Sequence, residues 1–257
     1  MQWILAQHYK PVDIAAAFTW TTLLGIDREM LSRTRLFQGH FYGPLEQVTG
    51  THCNVFTILR DPIERALSHY GHVFRDEKHY LHQRAHELGT LDAYLEDRTT
   101  QMTISNFQSR MLAMDFDVQT FYSNMTPEER RRWRLEQHME TTDFGLTGDQ
   151  IFSAAQAKLD SFFLVGITEK FPATLALLCH KLGWKYPMDS SAQNINVERP
   201  RQTELAEHTL RRLRELNSVD IALYTSACNA FELAINNLLI DTVNKNSHRG
   251  LFQRFIT

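Results

Sequence analysis

The segment FTILRDPIERALSHY (Phe56–Tyr70) constrains the fold more than any other part of the chain. A short apolar, β-prone run stops at Arg60-Asp61-Pro62 and passes at once into a helical pattern. Asp61 suits an N-cap, and Pro62 suits the first helical position, where its missing N–H costs nothing. Arg60 therefore falls at the carboxyl end of a strand, beside a helix N-terminus. Ser68 lies about two turns further along the helix, on roughly the same face. A cation, a hydroxyl and a positive helix end together suit a phosphate. The competing reading pairs Arg60 with Asp61 or Glu64 and leaves Ser68 an ordinary helix residue.

The rest of the chain extends this pattern. Ser161–Ile167 (SFFLVGI) reads as a second buried strand, and Thr34–Gln38 as a third. Thr168 is placed to cap a helix through Leu182 that Gly183 ends. Further helices are predicted over Val12–Leu24, Thr90–Arg98, Thr103–Met114, Thr126–Met139, Asp149–Leu159, Thr203–Leu216 and Val219–Val243. Apolar strands alternating with helices predict an α/β fold with a parallel sheet covered on both faces. Ligands in such sheets bind at the carboxyl ends of the strands, where His40 and Arg60 both fall. With 257 residues and no repeat or linker, one large domain is expected.

Composition narrows the function. Hydrophobic residues make up 43% and charged residues 22%, as in an ordinary globule. The net charge of -3 argues against bulk nucleic-acid binding. Cys53, Cys179 and Cys228 are distant and odd in number, so no disulfide framework is implied. The first residues have neither a basic leader nor an apolar h-region, and no run reaches the ~20 apolar residues that span a bilayer. A soluble, cytoplasmic setting is the expectation.

Several constellations invite chemistry. His40 sits in LFQGHFYG (Leu36–Gly43), where flanking glycines allow close ligand approach. A neutral imidazole there could take a proton from a hydroxyl near pH 7, or be a structural histidine in a turn. His69, His72, His79, His82 and His86 cluster without any zinc-type spacing, which favours exposed histidines over a metal. The run EERRRWR (Glu128–Arg134) is either a solvated helix face or a contact for an anionic polymer. The loop Asn194–Thr203 (NINVERPRQT) is a connector, or a cover that adds a second arginine to the anion site. Arg65 points elsewhere on its helix and reads as a surface ion-pair partner.

Three of these segments resemble the carbohydrate sulfotransferases, most closely the heparan sulfate 2-O-sulfotransferase branch. VFTILRDPIERALSHY is similar to that family's 3′-phosphate-binding strand and helix. FQGHFYG is similar to the turn that holds its catalytic base. SFFLVGITEKFPATLALL resembles its later strand–helix unit, and NVERPRQT with the final helices is more loosely similar. The resemblance implies a P-loop-NTPase-like three-layer sandwich that uses 3′-phosphoadenosine 5′-phosphosulfate (PAPS) as co-substrate, with no metal. It implies that Arg60 and Ser68 bind the 3′-phosphate, that His40 is the general base, and that Arg199 belongs to a loop closing on the nucleotide. Arg75 would face an acidic sugar. A carbohydrate acceptor is implied, with room for a homo-oligomer.

One family feature is missing. A P-K-x-x-x-T loop that cradles the 5′-phosphosulfate is not found, and neither is G-x-x-x-x-G-K-[ST]. The expectation is an N-terminally incomplete single domain without its first strand, in which case an anchor and a Golgi setting could precede it. The alternative is a truncated or degenerate homologue that binds nucleotide or anionic glycan without turnover. A small-molecule kinase on a similar sheet is the third reading, disfavoured by the absent Walker-type lysine.

Overall fold

The structure is a computed structural model and describes residues 4–5, 7–15, 17, 19–39, 41, 45–114, 123, 126, 145–187 and 200–245. The chain divides into two compact units, Met1–Asn54 with Arg110–Ala155, and Val55–Ser109 with Gln156–Thr257.

In the first unit a 3₁₀ turn (Pro11–Asp13) leads into an isolated parallel bridge between Ile14 and Leu36. Ala15 N–H donates to the Leu36 carbonyl at 2.9 Å, and Leu36 N–H donates to the Asp13 carbonyl at 3.0 Å. The helix expected over Val12–Leu24 is thereby reduced to one turn, α1 (Trp20–Leu23). Two local causes are visible. Ile14 is β-branched and finds an extended neighbour, and the Thr19 and Thr22 side chains bond each other at 3.0 Å instead of supporting a continuous helix. The predicted strand Thr34–Gln38 contributes only the Leu36 bridge. Helix α2 (Arg28–Arg33) is capped by Asp27, whose carboxylate accepts from Glu29 N–H at 2.7 Å, and α3 (Leu45–Thr49) follows.

The second unit holds a two-stranded parallel sheet. Strand β1 (Phe56–Leu59) pairs with β2 (Leu164–Ile167) in the register Phe56 to Leu164 and Leu59 to Ile167. Helix α4 (Pro62–Arg75) starts as its sequence predicts: the Asp61 carboxylate accepts from Glu64 N–H at 2.9 Å and Pro62 opens the first turn. Ile63, Ala66, Leu67, Tyr70 and Val73 repeat at helical spacing and are buried as one stripe. That stripe packs with short helices α5 (His82–Leu88) and α6 (Leu91–Glu96), which α7 (Arg98–Met102) follows. Tyr94 is fully buried there, edge-on to Tyr70 with ring centroids 5.1 Å apart. Helices α8 (Phe107–Ala113) and α9 (Gly148–Asp160) cross the boundary between the units along the chain.

Helix α10 (Phe171–Leu182) follows β2 through a 3₁₀ turn, Thr168–Lys170. Thr168 does not cap it as expected. Lys170 takes the cap position without a side-chain bond, because Pro172 sets the helix start three residues later. Gly183 ends the helix in the left-handed conformation (φ 67°) that glycine adopts most cheaply. Gly166 in β2 has a different role. A Cβ there would stand 2.2 Å from Thr174 Cγ2, so only glycine lets α10 lie this close to the strand. Thr174 Oγ1 uses that proximity, accepting from Ile167 N–H at 2.9 Å and donating to the Ile167 carbonyl at 3.0 Å. Helices α11 (Glu207–Leu216) and α12 (Ser218–Lys245) close the unit. Thr203, the expected start of the first, lies instead in a separate 3₁₀ turn, Gln202–Glu204. Among the described residues no helix is long and apolar enough to cross a membrane.

This is a mixed helix-and-sheet fold with a small parallel sheet, compatible with the expected α/β class.

Candidate functional site

The Arg60 backbone leaves the ladder one residue past β1 and is held from the side by Gln108. Arg60 N–H donates to Gln108 Oε1 at 3.0 Å, and Gln108 Nε2 donates to the Arg60 carbonyl at 2.8 Å. The Arg60 side chain is 29% exposed, and its Nη2 stands 4.0 Å from Glu64 Oε2, the outer limit of an ion pair. Glu64 is thus the carboxylate that the competing reading named, at the long end of ion-pair range. Ser68 is half-buried on α4, roughly 9 Å along the helix axis from Pro62 at 1.5 Å per residue.

Beside this strand end lies the Glu169 carboxylate. Asp61 N–H donates to Glu169 Oε1 at 3.1 Å, and the Tyr224 hydroxyl donates to Glu169 Oε2 at 2.8 Å. Burial, then the Glu169 carboxylate, push the Tyr224 phenol well above its ordinary pKa, so it stays a donor.

Gln108 is itself anchored. Asp220, at the start of α12, is fully buried. Its carboxylate accepts from Gln108 N–H at 3.0 Å, Ser109 N–H at 2.7 Å and Ser109 Oγ at 2.5 Å. In return Asn106 Oδ1 accepts from Val219 N–H at 3.0 Å and Asp220 N–H at 3.1 Å. Helices α8 and α12 therefore cap each other, and Asn106 adopts φ 43°, a conformation asparagine tolerates. Burial raises the Asp220 pKa, while the Ser109 and Gln108 bonds and the Arg65 charge oppose that rise.

Of the other sequence candidates, Arg65 is placed differently from expectation: it is half-buried rather than at the surface. Its Nη1 and Nη2 donate to the Thr103 carbonyl at 3.2 and 2.6 Å, and its guanidinium stacks 4.0 Å from the Phe107 ring centroid. A planar cation that satisfies a carbonyl and an aromatic face together fits a half-buried site better than open water. Arg75 Nε donates to Gly71 O in its own helix at 2.9 Å. Two histidines close the end of α4: a ring nitrogen of His82 lies 3.0 Å from the Val73 carbonyl, and one of His86 lies 3.1 Å from that of Phe74. His69 and His72 both meet the His79 ring edge-on, at 5.7 and 5.5 Å. Burial first, then the Arg65 charge, hold His69 well below its ordinary pKa, so it is neutral. Among the described residues no group of three or more histidine, cysteine or acidic side chains could hold a metal ion. His40, Arg199 and the run 128–134 lie outside the described residues, as do residues 194–199 of the 194–203 loop.

The structure thus joins Arg60, Gln108 and Asp220 in one hydrogen-bonded series, of which sequence reading found only the first. An amide that stands in for a strand neighbour leaves no local pattern. Asp220 lies in the first turn of α12, where an acid is common and signals nothing further.

No protein-family model matches the chain. Among curated proteins, heparan-sulfate 6-O-sulfotransferase 2 of Danio rerio is 28% identical over 192 residues, which is 68% of this chain and 37% of that protein. The chain therefore spans well under half the length of the relative it matches. The match supports a sulfotransferase family relationship. It does not single out the 2-O branch.

Proposed function

We propose that this chain belongs to an enzyme that moves a sulfuryl group from PAPS to a hydroxyl of a glycosaminoglycan-like carbohydrate. The observation that supports it is Arg60, a partly exposed guanidinium at the carboxyl end of a strand, whose backbone is held on both sides at the entrance to α4. Planar guanidinium donors match phosphate oxygens, and the amide end of a 14-residue helix adds positive potential. In this reading Arg60 and Ser68 hold the 3′-phosphate, and Arg199 joins them from the 194–203 loop. The acceptor oxygen forms a bond to sulfur as the bond from sulfur to the 5′-phosphate oxygen breaks. His40 takes the hydroxyl proton, and adenosine 3′,5′-bisphosphate leaves. The reaction is mainly one of positioning and charge compensation, for which arginine and imidazole suffice.

Adenosine 3′,5′-bisphosphate at a hundred times its Kd is expected to stabilise the protein by about 2.7 kcal/mol. Arg60→Ala should weaken its binding about 30-fold, the equivalent of about 2 kcal/mol for a charged hydrogen-bonded contact. No thermal shift of the wild type at millimolar ligand would overturn the nucleotide site. In a turnover assay, His40→Ala should remove transfer of labelled sulfate to heparan-type polysaccharide while leaving nucleotide affinity within about twofold, since a base acts on the acceptor. Binding without any transfer by the wild type would mark the chain as a non-catalytic binder. Disaccharide analysis of the product separates a 2-O from a 6-O enzyme.

A further inference from the structure

We infer that Gln108 is the positioning residue for Arg60: its side-chain amide fixes both peptide planes of Arg60 and so sets the direction from which the guanidinium approaches an anion. This rests on the functional reading above. Arg60 lies one residue beyond the paired register of β1, which ends at Leu59 with Ile167. Its backbone has left the strand ladder, and at that point a chain normally frays into solvent or a turn. Here one primary amide supplies the two groups a strand neighbour would supply. Oε1 takes the Arg60 N–H at 3.0 Å and Nε2 gives to the Arg60 carbonyl at 2.8 Å. The orientation of the amide is unambiguous, because a peptide N–H can only donate and a carbonyl can only accept. Two bonds to a single residue restrain both of its backbone torsions, where one bond would leave a hinge.

The clamp has a foundation of its own. Gln108 N–H is held at 3.0 Å by the buried Asp220 carboxylate, which also takes the N–H and hydroxyl of Ser109. The amide therefore projects from a helix start that is itself tied to α12. No apolar residue of similar size could replace it without leaving the Arg60 N–H and carbonyl without these two partners. Glutamate is the sharper substitution. It keeps an acceptor for the N–H, faces the Arg60 carbonyl with an oxygen, and sets a second carboxylate near the guanidinium already flanked by Glu64.

Two readouts test this on the full chain with Gln108→Ala and Gln108→Glu. Residue-resolved amide exchange should show the Arg60 N–H exchanging at least tenfold faster in Gln108→Ala, with β1 unchanged. The Kd for adenosine 3′,5′-bisphosphate should rise about tenfold in either variant when Arg60 is present, and for the alanine change less than twofold when it is made in Arg60→Ala. A merely structural role for Gln108 predicts equal losses in both backgrounds, and that result would overturn the inference. So would unchanged exchange at Arg60. If the wild type binds no nucleotide, the functional reading falls, and the exchange measurement alone still decides whether Gln108 fixes Arg60.

Discussion

Gly166→Ala is expected to lower the unfolding free energy by about 3 kcal/mol, near the upper end for overpacking a tight core contact. The added Cβ would lie 2.2 Å from Thr174 Cγ2, well inside van der Waals contact. Thr174 has little room to yield. It is fully buried and β-branched, and its hydroxyl bonds both the N–H and the carbonyl of Ile167. Relief would have to come from moving α10 off β2, which would break both Thr174 bonds to Ile167, the residue paired with Leu59. The clash names its own suppressor. Thr174→Ser removes Cγ2 and keeps the hydroxyl, whose distance of 3.1 Å from the new Cβ asks only a few tenths of an ångström. Gly166→Ala with Thr174→Ser should therefore recover more than half of the loss in urea denaturation. A Gly166→Ala protein within about 0.5 kcal/mol of wild type would contradict the close approach of strand and helix.

Asp220→Ala is the second large effect, a loss of about 3 kcal/mol. It removes the acceptor for two backbone N–H groups and one hydroxyl in a buried place, which combines a lost helix cap with orphaned donors. The same carboxylate gives a pH signature. Burial raises its folded pKa above the unfolded value of roughly 3.9, so in that window the folded state holds the proton more tightly than the unfolded one. Its contribution to stability therefore falls as pH rises from about 4 through the raised pKa. Asp92 and Asp97 act in the opposite sense. Asp92 is lowered chiefly by the Thr209 hydroxyl, and Asp97 is lowered because the Arg84 and Thr100 bonds together outweigh its desolvation. Subtracting an Asp220→Asn variant cancels such background terms. The difference in unfolding free energy between wild type and Asp220→Asn should shift in favour of the asparagine protein between pH 4 and pH 7. A flat difference would mean that the carboxylate is not desolvated.

What the sequence made legible was local. Asp61 and Pro62 announce the start of α4, and Gly183 announces the end of α10. Each is a backbone rule that works within a few residues. Misreadings arose where a distant partner decides. Arg65 looked like a surface cation because the carbonyl and ring that hold it belong to Thr103 and Phe107, some 40 residues on. The helix expected over Val12–Leu24 gave way because Leu36 offers Ile14 an extended neighbour. Gln108 had no signal at all, since its function is to imitate a backbone that the sheet lacks at that point. Arg60 and Ser68 stand where a strand-to-helix turn was expected to put them, and their role with that of His40 and Arg199 is the proposal that ligand and turnover measurements decide.

The mutual capping of α8 and α12 also bears on how the protein is made. Synthesis runs from the amino end, so β1 and Arg60 leave the ribosome long before Asp220 does. Until Asp220 has emerged, the helix turn that carries Gln108 lacks its carboxylate cap. On the proposed reading of Arg60, anion affinity should therefore be completed only late in translation.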